Sequence, residues 1–537
     1  MKIIFLLTIL IYLIHIAIIS TKSLHMLQQN RYNRGYRYIK WIIKNYQDNF
    51  INVNLLFLIF ILTSLQDYLN NISPYIFIVI ILFITYAFKE KRRREVTKLP
   101  LKYTARIKRL MITIGLIYII PCLIMFIGFD ELNFSYYYLI LGLMSYFNLF
   151  IVLIANVLNR PVEKAVGQYF LNKAQNKLAN MTNMEVIGIT GSYGKTSTKN
   201  IVCDILNSKY NVFKTPANYN TPFGLMITIN NYLDKYNDYF IAEMGACKKG
   251  EIKELCDLVH PKYGILTRIG LAHLETFGSE EIIQKTKFEL IESLPEDGIG
   301  ILNGDDEKQL NYKIKNKCRI LWIGIDNKKV DCYAKNIQLT YKGTKFTCVF
   351  KDGKEYDFET KLLGRNNIYN ILDGILLGRE LGISISNLQK AVKRIAPIEH
   401  RLSMTKYYDI NIIDDAYNSN PMGSKMALEV LNMMPGKHII VTPGMIEVGA
   451  KEYEVNKEFG RQIADNTDEV ILIGEEKTKP IYEGLMEKKY PQEKIHILND
   501  VMQAFPLMLE LKGKETYVLL ENDLPDSFNE KIRSDKK

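Results

Sequence analysis

Cysteine is sparse in this sequence and carries no pattern. Cys122, Cys203, Cys247, Cys256, Cys318, Cys332 and Cys348 are odd in number, scattered, and never spaced as CxxC. That excludes a disulfide scaffold and a zinc ribbon. Acidic side chains are scarce in the first third, where residues 1–180 hold 7 Asp+Glu against 21 Lys+Arg. Tryptophan occurs twice, and Trp322 and the many tyrosines read as core and surface rather than as base-stacking platforms. Residues 181–537 are slightly acidic, with charges interspersed rather than gathered in a stripe, so no nucleic-acid partner is expected. Apolar residues are not lacking: 48% of the 537 residues are hydrophobic, which excludes a disordered chain. At ~150 residues per domain, this length implies three or four domains.

The formal charge of +11 is unevenly spread, with +14 in residues 1–180 and −3 in the rest. The basic third also holds five apolar stretches, at residues 3–20, about 53–69, about 73–88, 110–129 and about 136–158. A membrane span needs ~20 mainly apolar residues, and ~17 suffice. The first, fourth and fifth stretches reach that length. The second and third are shorter and flank a polar turn, as a helical hairpin would. The connecting segments alternate in charge. Residues 21–50 carry Lys22, Arg31, Arg34, Arg37, Lys40 and Lys44, and residues 89–109 carry ten Lys/Arg. The other two loops hold only Asp67, and Asp130 with Glu131. Under the positive-inside rule this predicts five spans over residues 1–160, an external N-terminus, and a cytoplasmic location for everything after about residue 159.

The expected protein is thus multi-pass in the cell membrane, with the lipid bilayer as a partner. No small-x-small site follows the first span, so it reads as a retained helix rather than a cleaved leader. His15 lies within it, but no buried acid or base pair marks an ion path. Residues 161–183 have the pattern of an amphipathic helix, either lying on the bilayer surface or serving as a linker.

From residue 185 the pattern changes to strand, glycine-rich turn and helix: EVIGIT, GSYGKTSTKN, then IVCDILNSKY. Gly191, Gly194, Lys195 and Thr196 suit a phosphate cradle. Glycines let backbone N–H groups approach oxyanions, the helix start adds a favourable dipole, lysine balances charge, and a threonine hydroxyl can bind Mg²⁺. The spacing departs from GxxxxGK[ST], since Ile189 stands where the first glycine would be. The C-terminal residues alternate strand-like runs (KHIIVTP, EVILIGE, KIHILND, TYVLLEN) with helical segments, which predicts a small Rossmann-like α/β domain.

These motifs resemble the Mur ligases, the amide-forming enzymes of peptidoglycan precursor synthesis. GITGSYGKTSTK is similar to their ATP-binding loop. TPANYNTPFGL, EMGACKKGEI, IGLAHLETFGS, KTKFELI, ILNGDDE, GRNNIYN, the His400–Arg401 pair, DDAYNSNP and TPGMIEVG follow in the family's order over residues 185–525. The last two are most similar to the branch that adds D-alanyl-D-alanine to the muramoyl tripeptide. The resemblance implies a central ATP-binding α/β domain over residues 184–397 and a C-terminal domain over 398–537.

It also implies an ADP-forming ligase that works through an acyl phosphate, with ATP, a carboxylate-bearing cell-wall precursor and an amine such as D-Ala-D-Ala as partners. Two Mg²⁺ ions are implied, one on Thr196 and Glu243, the other on His273 and a carbamylated lysine. Lys287 matches the latter position, with Lys285 as the neighbouring alternative. The catalytic set is then Lys195, Lys287 and His273. Nucleotide contacts are implied for Gly191, Ser192, Tyr193, Gly194, Lys195, Thr196 and Ser197, and for Asn303, Arg401 and Asp415, with Asp414 the alternative to the last. Asn367 and Asn370 read equally as caps or contacts.

The sequence departs from the family at Asn366, Gly444 and Asn456, where many relatives carry His, Asp and His. Soluble members also begin with a small α/β domain that binds the UDP-sugar, where this chain has apolar helices. Three functions follow: a membrane-tethered D-Ala-D-Ala-adding ligase, a Mur-type ligase acting on a lipid-linked or polymeric substrate, or a non-catalytic ATP-binding membrane scaffold.

Overall fold

The computed structural model of the chain describes residues 2–30, 32, 36–51, 54, 58, 73–92, 100–128, 134–272, 274–417, 420–446 and 451–522. They form two compact units, Met1–Gln168 and Tyr169–Leu524.

The first unit is helical. Its helices run over Lys2–Gln29, Tyr36–Lys44, Ser73–Arg92, Ala105–Ile127, Phe134–Tyr146 and Asn148–Leu158, and Arg160–Ala179 begins within it. Two of them, Lys2–Gln29 and Ala105–Ile127, are long and apolar enough to cross a membrane. The first outruns its predicted end at residue 20. Part of the segment expected to be a loop forms the helix Tyr36–Lys44, with Tyr38 and Ile42 turned inward. Most of the second apolar stretch lies outside the described residues.

The fifth stretch is not one continuous helix. It breaks at Phe147, and its two halves are bent by 75°. The next residue, Asn148, is buried, and its amide finds partners on other helices. Oδ1 accepts from Ser20 Oγ and Tyr118 OH, both at 2.9 Å, and Nδ2 donates to Ser23 Oγ at 3.1 Å. An amide away from water must be satisfied from within the bundle, and here that requirement is met at the break. His15 is likewise absorbed by structure, between the Phe83 carbonyl at 3.0 Å and Ser145 Oγ at 2.6 Å.

The helix Arg160–Ala179 covers most of the segment expected to be amphipathic. Its C-terminal part packs Phe170, Leu171, Ala174 and Leu178 into the core of the second unit.

The second unit contains two sheets. The strands of the first are β1 (Glu185–Thr190), β2 (Val212–Lys214), β3 (Tyr239–Glu243), β4 (Tyr263–Leu266), β5 (Ile299–Asn303), β6 (Arg319–Gly324), β7 (Cys332–Thr340), β8 (Gly343–Phe350) and β9 (Glu355–Thr360), in the order β2-β3-β1-β4-β5-β6-β7-β8-β9. β2 to β7 pair in parallel, whereas β8 pairs antiparallel to both β7 and β9. The parallel strands are nearly all apolar, as strands covered on both faces must be.

The second sheet holds β10 (Ser403–Tyr407), β11 (Ile410–Asp415), β12 (Lys437–Thr442), β13 (Glu469–Ile473), β14 (Ile495–Leu498) and β15 (Thr516–Glu521), in the order β10-β11-β15-β12-β13-β14. Four of its strands are the four predicted runs. The antiparallel β10–β11 pair at its edge had no sequence expectation.

Candidate active site

β1 lies between β3 and β4. The chain thus leaves β1 at a point where the strand order reverses, the usual crevice for ligands in open α/β sheets. Register sets the chemistry at that edge. Ile189 pairs with Glu243, and Thr190 with Leu266, so the loop after β1, the carboxylate ending β3 and Thr267 after β4 come together.

The loop is tightly specified. Thr267 Oγ1 donates to the Thr190 carbonyl at 3.1 Å and to the Tyr193 carbonyl at 2.6 Å. A Cβ on Gly191 would sit 1.9 Å from that same oxygen, so the position admits only glycine. Lys195 opens the helix Lys195–Leu206 and folds back, donating to the carbonyls of Gly191 at 2.7 Å and Ser192 at 3.1 Å. Burial lowers its pKa, partly offset by the nearby Glu243. Tyr193 is held by the 271–272 backbone, and burial pushes its phenol up to about 12.

Glu243 is buried. Its Oε1 accepts from Thr196 Oγ1 at 3.2 Å and Asn220 Nδ2 at 3.0 Å. Its Oε2 pairs with Lys199 Nζ at 2.9 Å. Sequence reasoning missed Lys199. The only signal available was its position one turn beyond Thr196 on the same helix, which brings both to one face.

The two lysine candidates separate cleanly, Lys287 being buried and Lys285 exposed. Lys287 lies over the Phe277 ring, 5.7 Å from its centroid. Burial, and then the neighbouring Lys195 charge, lower its pKa to about 7. His273 lies outside the described residues. Thr196 and Glu243 are hard oxygen donors and fit Mg²⁺, which usually takes one or two carboxylates and completes its shell with water and phosphate. Among the described residues, no three His, Cys, Asp or Glu side chains gather as an all-protein cage.

The cleft above the loop is lined by Ser197, Asn303, Asn366, Asn367, Asn370 and Asp373 from the first sheet's domain, and by Arg401, Asp415 and Asn420 from the second. The two aspartates differ in position. Asp415 lines the cleft, whereas Asp414 is bound by His400 Nδ1 at 2.7 Å. Burial raises Asp415 to about 6, against the pull of Arg401. Arg401 stacks over Tyr417, 5.0 Å from its ring centroid.

Asn370 lines the cleft from inside the helix Arg365–Glu380 and caps neither end of it. It accepts from Thr198 Oγ1 at 3.0 Å and donates to Asn367 Oδ1 at 3.2 Å. Asp373, one turn further along that helix, was also missed. It is 3% exposed, and burial pushes its carboxyl far up. The aspartates of ILNGDDE are structural. Asp305 caps the amides of residues 325–327, and Asp306 accepts from Ile269 N at 2.8 Å. Of the departures, Asn456 bonds both the N–H and the carbonyl of Met445, and Gly444 donates its N–H to Thr442 Oγ1 at 3.1 Å. Glu447–Ala450 (447–450) lie outside the described residues.

Comparison with known proteins agrees with this architecture. Residues 189–378 match the family model described as Mur ligase middle domain, and residues 400–521 match the Mur ligase glutamate ligase domain. The UDP-N-acetylmuramoyl-tripeptide–D-alanyl-D-alanine ligase of Bacillus subtilis is 33% identical over 293 residues, which cover 54% of this chain and 62% of that protein. The Escherichia coli ligase of the same name is 32% identical over 294 residues, covering 54% and 65%. The chain therefore spans a little under two thirds of the length of these relatives. Among solved structures, a MurF ligase from Thermotoga maritima in complex with ADP is 27% identical, with a TM-score of 0.59 over 66% of this chain and 80% of that one. MurF from Acinetobacter baumannii, 22% identical with a TM-score of 0.59 over 66% and 77%, shares the fold. With its middle and C-terminal domains both matched, the chain belongs to the Mur ligase family.

Proposed function

We propose that this protein is a membrane-anchored, ATP-dependent amide ligase that adds D-alanyl-D-alanine to a UDP-muramoyl tripeptide. The observation that carries the reading is the cleft itself. A phosphate loop at the edge of a parallel sheet opens toward Arg401 and Asp415 of the following domain. The names of the relatives support the substrate pair.

In the proposed reaction the substrate carboxylate attacks the γ-phosphorus of ATP, and the bond to ADP breaks. The amine then attacks the acyl carbon of the resulting acyl phosphate, loses a proton, and phosphate departs. Phosphoryl transfer is chiefly positioning and charge neutralisation. Residues 191–197 would hold the phosphates, with Lys195 as their cation, while Asn303, Arg401 and Asp415 would hold the nucleoside and ribose side. Two Mg²⁺ ions, on Thr196 with Glu243 and on His273 with a carbamylated Lys287, would neutralise phosphate charge. Carbamate formation needs an uncharged amine, and the low pKa of Lys287 supplies one near neutral pH. Approach of the C-terminal domain would exclude water from the acyl phosphate.

The reading of the first unit as a multi-pass membrane anchor is supported by its surface. Leu6, Leu7, Leu10 and Ile14 on one long helix, and Ile112, Leu116, Leu123 and Ile124 on the other, are exposed. Apolar surface of that extent is rare on soluble proteins. The same unit favours a second reading, a lipid-linked or polymeric substrate, since apolar helices precede the ATP-binding domain where soluble relatives carry a sugar-nucleotide domain.

The test is ATP-dependent phosphate release by the full chain in lipid discs. Release that requires UDP-muramoyl tripeptide and D-Ala-D-Ala supports the first reading. Release only with lipid-linked substrate supports the second. Lys195→Ala should abolish either activity, and unchanged turnover would refute the mechanism; absence of phosphate release by the parent with either substrate would favour a non-catalytic scaffold.

A further inference from the structure

We infer that Lys199 is a positioning residue that permanently occupies one oxygen of Glu243, so that the carboxylate offers a divalent cation a single oxygen and the cation is held only together with nucleotide phosphate. This rests on the reading above that Thr196 and Glu243 hold the ion.

Both members of the pair are sealed from solvent, each side chain being 2% exposed. Lys199 Nζ stands 2.9 Å from Glu243 Oε2 and donates to the Ala217 carbonyl at 2.6 Å. Ala217 has φ of 42°, a left-handed conformation that non-glycine residues rarely adopt. A buried ammonium held by two oxygens cannot swing away without leaving charge uncompensated on both sides. The other oxygen, Oε1, faces only the neutral donors of Thr196 and Asn220, which can turn aside.

The charge balance points the same way. Glu243 and Lys199 cancel. Lys195 lies close enough to Glu243 and Arg401 to feel both, while Asp415 stands against Arg401. With Glu521 also close to Arg401, three carboxylates balance three cations, and a bare divalent cation meets no net negative charge. A bound polyphosphate supplies both the missing charge and the missing oxygens. Metal and nucleotide affinities must then be coupled, and by linkage each raises the other by one common factor.

The experiment uses the full chain in detergent, with Mn²⁺ as a paramagnetic probe and ADP as the nucleotide, reading free Mn²⁺ by electron paramagnetic resonance. The parent should bind Mn²⁺ at least about tenfold more tightly with ADP than without it, an ordinary coupling magnitude. Lys199→Met should raise the nucleotide-free Mn²⁺ affinity and shrink that ratio, and Lys199→Arg should restore it. Equal Mn²⁺ affinity in the parent with and without ADP would overturn the inference, and this measurement stands even if Lys199→Met fails to fold. So would a Lys199→Met protein that still binds ADP in chelator yet gains no nucleotide-free Mn²⁺ affinity. If instead Glu243→Gln kept full Mn²⁺ uptake in the presence of ADP, the assignment of the ion to Glu243 would itself fall.

Discussion

Asp373 gives the sharpest test of how the cleft is built. Its carboxyl is 3% exposed and makes no hydrogen bond or ion pair with any described residue, and burial holds its pKa far above the usual carboxylate range. In the unfolded chain an aspartate ionises at ~3.9. Above that pH the unfolded state binds fewer protons than the folded one, so stability must fall as pH rises, until the folded carboxyl itself ionises. The slope in that window is ~1.4 kcal/mol per pH unit for one group. Asp373→Asn replaces the acid by a neutral group of nearly the same shape, and so removes the slope without opening a cavity.

The assay is equilibrium urea unfolding between pH 5 and pH 7. The two tryptophans are Trp41 and Trp322; Trp322 lies on β6 in the same domain as Asp373. A Trp41→Phe background therefore isolates the relevant signal. The advantage of Asp373→Asn over the parent should widen as pH rises from 5, by about 1.4 kcal/mol per pH unit for as long as the folded carboxyl stays protonated. A constant difference over the range would refute the protonated, unpaired aspartic acid.

Further outcomes follow from other contacts. Gly191→Ala should weaken ADP binding by at least about fivefold, as overpacking costs ~1–3 kcal/mol, because the new methyl meets Thr267 Oγ1 at 1.9 Å; titration calorimetry measures it. Lys287 has a folded pKa of about 7 against 10.5 for a free lysine, so the unfolded state binds more protons between those values and stability should rise with pH across them. Lys287→Met should then raise the thermal midpoint more at pH 7 than at pH 10, and equal shifts would contradict the burial argument. In bicarbonate buffer, ¹³C NMR should show a carbamate carbon in the parent that Lys287→Met lacks. Asn148→Ala removes three interhelix hydrogen bonds, which at ~0.6 kcal/mol each should lower the helical unit's stability by about 2 kcal/mol in detergent unfolding.

Much of the candidate site was legible because its motifs are local. The turn after β1, the helix that follows it and the carboxylate ending β3 are each a short run whose residue types state their use. Partners separated in sequence were not legible. Lys199 looks like an ordinary helix lysine until β3 and the 215–220 segment close over it. Lys285 and Lys287 differ only in the side of the helix they face, which packing determines. The bent pair Phe134–Tyr146 and Asn148–Leu158 reads as one apolar run, since hydropathy records solvent preference but not where a buried amide finds partners.

The sequence by itself determined the order of domains, the apolar helices with their charge asymmetry, and the phosphate loop. These depend on composition and on contacts within a few residues. Only the tertiary structure decided that Glu243 is shared between a hydroxyl, an amide and a buried lysine, that Asp415 rather than Asp414 lines the cleft, and that Asp373 lines it unpaired. The physical reason is that burial and pairing in a low-dielectric interior set the charge and reach of a side chain, and both depend on residues brought together from distant strands.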